Sequence, residues 1–250
     1  MVDVSEPGLL VIKHRRIYGF GKYTNVAVLK GDQIKIVEEN NANRPDSPPM
    51  LLSLLDLTAH SYWNDAANIL IQLAVSMRAH QRGGALLIVP ANSEDWKQSV
   101  IHPINYALNP PYKGLMSLVS KEIRQDASEI FWQSALKREI DHLAGLTAID
   151  GATVITDQFE LLGFGIKTGR ANSSNHIHEV SFCEPISDAA PLIVHPAKTG
   201  GTRHLSAAQF IFDQHDAQAL VASQDGHFTI YTWSDNSAMV HAYRIDTLLL

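Results

Sequence analysis

The stretch Gly200-Gly201-Thr202-Arg203-His204 puts two glycines, a hydroxyl residue and two basic side chains where a loop turns into a helix-like segment. Glycines permit close backbone approach, and Thr202 is suited to cap a helix whose first N–H groups point outward. A helix start carries about half a positive charge, Arg203 adds a planar fork for phosphate oxygens, and His204 is a further donor. The chemistry this suits is the holding of an anion at Gly201, Thr202, Arg203 and His204. The same residues also suit a plain loop-to-helix join. A second cluster, Asp150-Gly151-Ala152, sets a carboxylate directly before a strand, with a glycine that leaves room for a ligand. An oxygen ligand of this kind can place magnesium or manganese beside a phosphate, while the bland alternative is a turn. A third, Asn175-His176-Ile177-His178-Glu179, spaces two imidazoles at i, i+2 on one side of a strand. With His195 it makes zinc imaginable, and a polar loop accounts for the same residues.

Elements must carry these residues to one place. Leu9 to Ile12, Val26 to Leu29 and Ile34 to Val37 read as strands, with Lys30-Gly31-Asp32-Gln33 as a turn. Asn40 to Pro49 gathers turn formers and helix breakers and reads as a linker, which sets residues 1–49 as a small N-terminal β unit and 50–250 as the main domain. From Ala66 to Arg82 apolar residues recur at three- and four-residue spacing, capped by Asn64 or Asp65 and stopped by Gly83-Gly84, which predicts a helix. The unbroken run Ala85 to Val89 predicts a strand covered on both faces. Asn109 to Tyr112 reads as a loop, and a second helix is expected from Asp126 or Ser128 to about Ala144, with Gly145 as its stop. A hairpin follows, from Ala152 to Thr156 and from Phe159 to Leu162, then a long polar loop from about Lys167 to Gly200. Arg203 to about Phe212 reads as a helix; Ala217–Ala222, Phe228–Trp233 and Met239–Ile245 read as strands, with a turn at Asp225-Gly226. The pattern predicts an α/β fold with a central mixed sheet flanked by helices.

Composition narrows the function classes. The 250 residues are 45% hydrophobic and 18% charged, an ordinary globular balance rather than a disordered one. With 20 Lys and Arg against 26 Asp and Glu the net charge is −6, so there is no global basic surface for duplex nucleic acid or acidic lipid. A single cysteine, Cys183, makes neither an internal disulfide nor a cysteine zinc site. The start Met1-Val2-Asp3-Val4-Ser5 lacks a secretory pattern, so a cytoplasmic location is expected. No apolar run approaches the roughly 20 residues of a membrane helix. Ser134, Ser206 and Ser223 sit in no Gly-x-Ser-x-Gly elbow, and Gly19-Phe20-Gly21-Lys22 lacks the rest of a dinucleotide fingerprint and reads as a β-turn. Trp63, Trp96, Trp132 and Trp233 read as packing residues.

The order Asp-Gly-Ala, hairpin, long loop, Gly-Thr-Arg-His, helix, strand, then Ser223-Gln224-Asp225-Gly226 resembles the diadenylate cyclase (DAC) domain family over about Ala66 to Trp233. The helix followed by Gly84-Ala85-Leu86-Leu87-Ile88-Val89 is similar to that family's helix and strand. The resemblance implies a DAC-like domain that condenses two ATP into cyclic di-AMP, each ribose 3′-hydroxyl attacking the other nucleotide's α-phosphate as pyrophosphate leaves. It implies homo-oligomers with facing sites. It also implies catalytic roles for Asp150, Arg203 and His204, with magnesium or manganese at Asp150 and Asp225. Gly151, Ala152, Gly201, Thr202, Ser223 and Asp225 would then line the nucleotide. Leu205 stands where the family has a basic residue, Gln224 replaces an acid, and Ser206-Ala207-Ala208 comes one residue late. These departures fit a divergent, sensor-like branch, so the alternative expectation is a catalytically silent domain that binds ATP or a cyclic nucleotide.

Overall fold

Two patterns of hydrophobicity, alternating and unbroken, give this chain two sheets. The computed structural model describes residues 1–16, 23–38, 45–55, 57, 65–120, 129–187 and 190–250. Alternation in Leu9–Arg15 buries Leu9 and Val11 and exposes Leu10 and Ile12. This strand, β2, lies in an antiparallel meander with β1 (Val2–Glu6), β3 (Tyr23–Lys30) and β4 (Gln33–Ile36). The β3–β4 turn has Gly31 at φ +61°, as the sequence predicts. The inner face of the meander packs Leu9, Val11 and Val28 on Leu250. The Asn25 amide clips it to the chain's end, donating to the carbonyls of Thr247 (2.9 Å) and Leu250 (3.0 Å).

The unbroken run forms β5 (Gly84–Val89), all six residues buried, in the interior of a nine-stranded sheet. The other strands are β6 (Tyr106–Tyr112), β7 (Ala152–Thr156), β8 (Leu161–Ile166), β9 (Val180–Cys183), β10 (Leu192–Val194), β11 (Gln218–Ala222), β12 (Phe228–Ser234) and β13 (Met239–Arg244). Their order is β10-β9-β13-β12-β11-β5-β7-β8-β6. The β5–β7 and β9–β13 pairs are parallel and the rest antiparallel, so the sheet is mixed.

Helices cover both faces. Leu86 and Ile88 point into a core built with α1 (Pro49–Leu54), α2 (Asp65–Ala79), α3 (Gly114–Val119) and α4 (Glu129–Leu146). Ala85, Leu87 and Val89 point the opposite way, onto α5 (Thr202–Asp213) through Ala207, Ala208, Phe210 and Ile211. Full burial of each large apolar side chain contributes about 1.5–3 kcal/mol, and Phe210 and Ile211 are both fully buried, so α5 is firmly seated on the sheet. That seating fixes where its first turn points.

Several expectations change. Asn109–Tyr112 belongs to β6 rather than to a loop; the strand sits at the sheet edge, where prolines remove no ladder bond on the open side, and its pairing with β8 is interrupted between Ala107 and Tyr112. The polar stretch 167–200 contains β9 and β10, and β9 pairs in parallel with β13. α4 runs past Gly145 to Leu146. β8 begins at Leu161, because Phe159 lies in the turn at φ +66°. β1 was not expected. The Gly19–Lys22 turn, residues 40–44 of the Asn40–Pro49 linker, the caps at Asn64, Asp126 and Ser128, and Trp63 lie outside the described residues. Among the described residues no helix is long and apolar enough to cross a membrane. Trp96 is buried, and Trp132 and Trp233 pack against the two cores.

Candidate functional site

Parallel pairing of β5 with β7 brings the segment before β7 to the same edge of the sheet as the end of β11, since Ala85 pairs with both Ala152 and Val221. The first turn of α5 closes over that edge. Together they enclose a cavity of about 570 Å³. Asp150, Gly151 and Ala152 line one wall. Gly201, Thr202, Arg203 and His204 line another, and Ser223, Gln224 and Asp225 a third. Every candidate nucleotide and catalytic residue read from the sequence therefore borders one space.

Two of the glycines here have a steric reason. A Cβ on Gly200 would stand 2.3 Å from His204 Nδ1, so only glycine lets the imidazole fold back under the loop. Gly151 sits at φ +114°, and a Cβ there would be 2.6 Å from the carbonyl carbon of Gly165. The absence of a side chain at Gly151 thus allows the close approach of the β8 backbone, while the residue also borders the cavity. The N-cap of α5 is Gly201, and Thr202 is the first helical residue rather than the cap. No side chain among the described residues caps this end; the His204 amide donates to the Gly201 carbonyl at 3.0 Å, which leaves the Thr202 and Arg203 amides as the outward donors of the first turn.

Arg203 is half-buried, lines the cavity and forms no ion pair among the described residues. Its guanidinium lies against Gly83, where a Cβ would be 3.2 Å from Nη1. His204 differs from expectation. It is only 2% exposed, meets Tyr231 edge-on at 6.3 Å between ring centres, and its Nε2 has no hydrogen-bond partner. Burial, then the nearby Arg244, pushes its pKa down to about 4. It is therefore a neutral imidazole with one orphaned nitrogen, and Arg203 alone carries the charge of this helix start. Tyr231 beneath it hydrogen-bonds Thr199 at 2.6 Å, which fixes the floor.

Asp150 is bound by Lys167, at the end of β8, which also lines the cavity. Hydrogen bonding and charge from Lys167, with a smaller effect of Arg203, hold the Asp150 carboxyl below its usual range. Sequence reasoning placed Lys167 only at the start of a polar loop; no local pattern marks it, because its meaning comes from β8 pairing beside β7. Asp225 accepts hydrogen bonds from its own backbone amide and from the Ser223 hydroxyl, which lower its pKa. The Ser223 hydroxyl oxygen also accepts the His227 amide at 3.1 Å, and Gln224 donates to the Arg82 carbonyl at 3.3 Å. The turn is tied into the fold.

Magnesium or manganese was expected at Asp150 and Asp225. Among the described residues no three His, Cys, Asp or Glu side chains come together in a way that could hold a metal ion. Of the two carboxylates, Asp150 already faces an ammonium and Asp225 is engaged by its own turn. This donor set does not fit an ion held by the protein alone. The zinc expectation fares the same way: His176, His178 and His195 border one further cavity without forming a metal-ligand cluster. Compared with known proteins, the chain matches no family model, and no curated protein matches it.

Proposed function

We propose that the protein is a nucleotide-binding sensor domain, DAC-like in its motif order, whose cavity receives the phosphates of ATP or a cyclic dinucleotide without turning it over. The observation that carries the reading is that Arg203, a cation with no ion pair among the described residues and set on the start of α5, shares its cavity with Lys167 and with the loop Ser223–Asp225. Outward amides, a guanidinium and an ammonium together are a donor set for phosphate oxygens. A cavity of about 570 Å³ is in the size range of small-molecule sites, so a nucleotide fits. His204, neutral and buried beneath the loop, adds no charge to this set, and its Nε2 is closed off from solvent. The silent reading is favoured over the catalytic one by Leu205, which supplies no cation, and by the engagement of Asp150 with Lys167.

The second reading is diadenylate cyclase activity, favoured by Asp150 bordering the same cavity as Arg203. There two ATP would give cyclic di-AMP and two pyrophosphates across two facing copies. One experiment separates them. The pure protein is titrated with ATP calorimetrically, then incubated with ATP and magnesium or manganese while pyrophosphate and cyclic di-AMP are followed. Saturable binding that falls about ten- to a hundredfold in Arg203→Ala, without either product, supports the sensor. Product supports the cyclase. Absence of binding by ATP and by cyclic di-AMP defeats both.

A further inference from the structure

A second cavity, of about 400 Å³, adjoins the first: Thr168 and Ser206 border both. It lies on the far side of the partition formed by the end of β8 and the first turn of α5. Arg170, His176, His178 and His195 line it, with Gln209 on the helix side, and no carboxylate among the described residues does. Arg170, His176 and His178 make no hydrogen bond or ion pair among the described residues. His195 uses Nδ1 to accept the Ala197 amide at 3.2 Å, which leaves Nε2 as a donor.

The loop that carries the histidines is built rather than loose. The segment is not a strand, as the i, i+2 spacing suggests, but Ile177 is buried while His176 and His178 on either side of it are exposed and line the same cavity. The Ile177 amide donates to Gln209 Oε1 at 2.9 Å, and Gln209 Nε2 donates to the Asn175 carbonyl at 3.0 Å. Asp213, the carboxylate that anchors the loop, accepts the Ala171 amide at 2.9 Å, the Ser174 hydroxyl and Gln209 Nε2. It is consumed in holding the loop on α5. The imidazoles form no metal-holding group among the described residues, yet they line a space together with one guanidinium. A larger anion meets that geometry.

We propose that this second cavity is a phosphate subsite, taking either the distal phosphates of a nucleotide in the first cavity or a separate phosphate compound. The first source rests on the nucleotide reading above; the second does not. The test is calorimetric titration of the full chain with AMP, ATP and sodium pyrophosphate, in wild type, Arg170→Ala and the double variant His176→Ala/His178→Ala, whose altered residues are exposed and whose folding is checked by circular dichroism. If one nucleotide spans both cavities, ATP binds at least about tenfold more tightly than AMP. The variants then lose most of that margin while AMP affinity stays within about twofold. If the phosphate comes separately, pyrophosphate binds alongside AMP and is weakened by Arg170→Ala. Pyrophosphate binding that depends on Arg170 in a protein that takes no nucleotide keeps the subsite and removes the first-cavity reading. Affinities for ATP and pyrophosphate that neither variant changes, or no binding of any probe, overturn the subsite.

Discussion

Arg203 is held over the sheet edge by Gly83, 120 residues earlier in the chain: a Cβ at position 83 would stand 3.2 Å from the guanidinium Nη1 and 3.3 Å from the Ala222 carbonyl oxygen. Gly83 also lies at φ +69°, outside the comfortable range of other residues. The stop signal after α2 is therefore part of the site. Gly83→Ala should cost about 1–3 kcal/mol of stability by urea denaturation and weaken ATP several-fold, because the displaced guanidinium loses its aim. Unchanged ATP affinity in a folded variant would separate Arg203's position from Gly83.

The two glycines on either side of the cavity should respond differently. Gly151→Ala drives a methyl to within 2.6 Å of the Gly165 backbone at an unfavourable φ, so the β7–β8 pairing must shift. A loss of about 3 kcal/mol or more is expected. Gly201→Ala meets no atom within 4 Å, and as an N-cap change it should cost no more than about 1 kcal/mol. Thermal unfolding of both variants checks the ordering; equal losses would contradict the close approach.

His204 makes stability pH-dependent. Its pKa is near 6.5 in the unfolded chain and about 4 in the folded one, so protonation favours unfolding. The contribution is whole above pH 6.5 and is lost as pH falls toward 4, at about 1.4 kcal/mol per unit once the unfolded form is protonated. The full loss is about 3 kcal/mol. Urea denaturation across this range should show the slope in wild type and its reduction in His204→Asn.

Lys167 sets the state of Asp150. Removing it in Lys167→Ala should raise the Asp150 pKa toward the ordinary carboxylate value, seen as a later titration of its side-chain carbon resonance. The same variant should weaken ATP, since the cavity loses an ammonium, and should make the remaining affinity more dependent on magnesium. A variant that binds ATP as tightly as wild type would place Lys167 outside the ligand's reach.

What could be read from the sequence was what local pattern determines. The run Ala85–Val89 announces a strand buried on both sides, the 3.6-residue period from Ala66 announces α2, and Gly-Thr-Arg-His announces the start of α5. Asp150, Arg203 and Asp225 border one cavity because β7 and β11 both pair with β5 and the first turn of α5 closes over their shared end. Features set by long-range pairing were hidden. β9 and β10 sit in a polar stretch because Val180–Cys183 is stabilised by β13 rather than by its own sequence. β6 survives Pro110 and Pro111 by taking the sheet edge. His204 reads as a phosphate donor from its neighbours, and only the packing of α5 on Tyr231 reveals that it is buried and neutral.

The claim that the site depends on most is that segments around Asp150, Lys167 and Arg203 serve one ligand. Hydrogen exchange of the backbone amides during an ATP titration reads this directly. Protection should rise together, with one concentration dependence, in peptides covering 150–152, 166–168 and 201–206, and should vanish in Arg203→Ala. Protection confined to a single segment, or appearing elsewhere in the chain while these three stay unchanged, would contradict it.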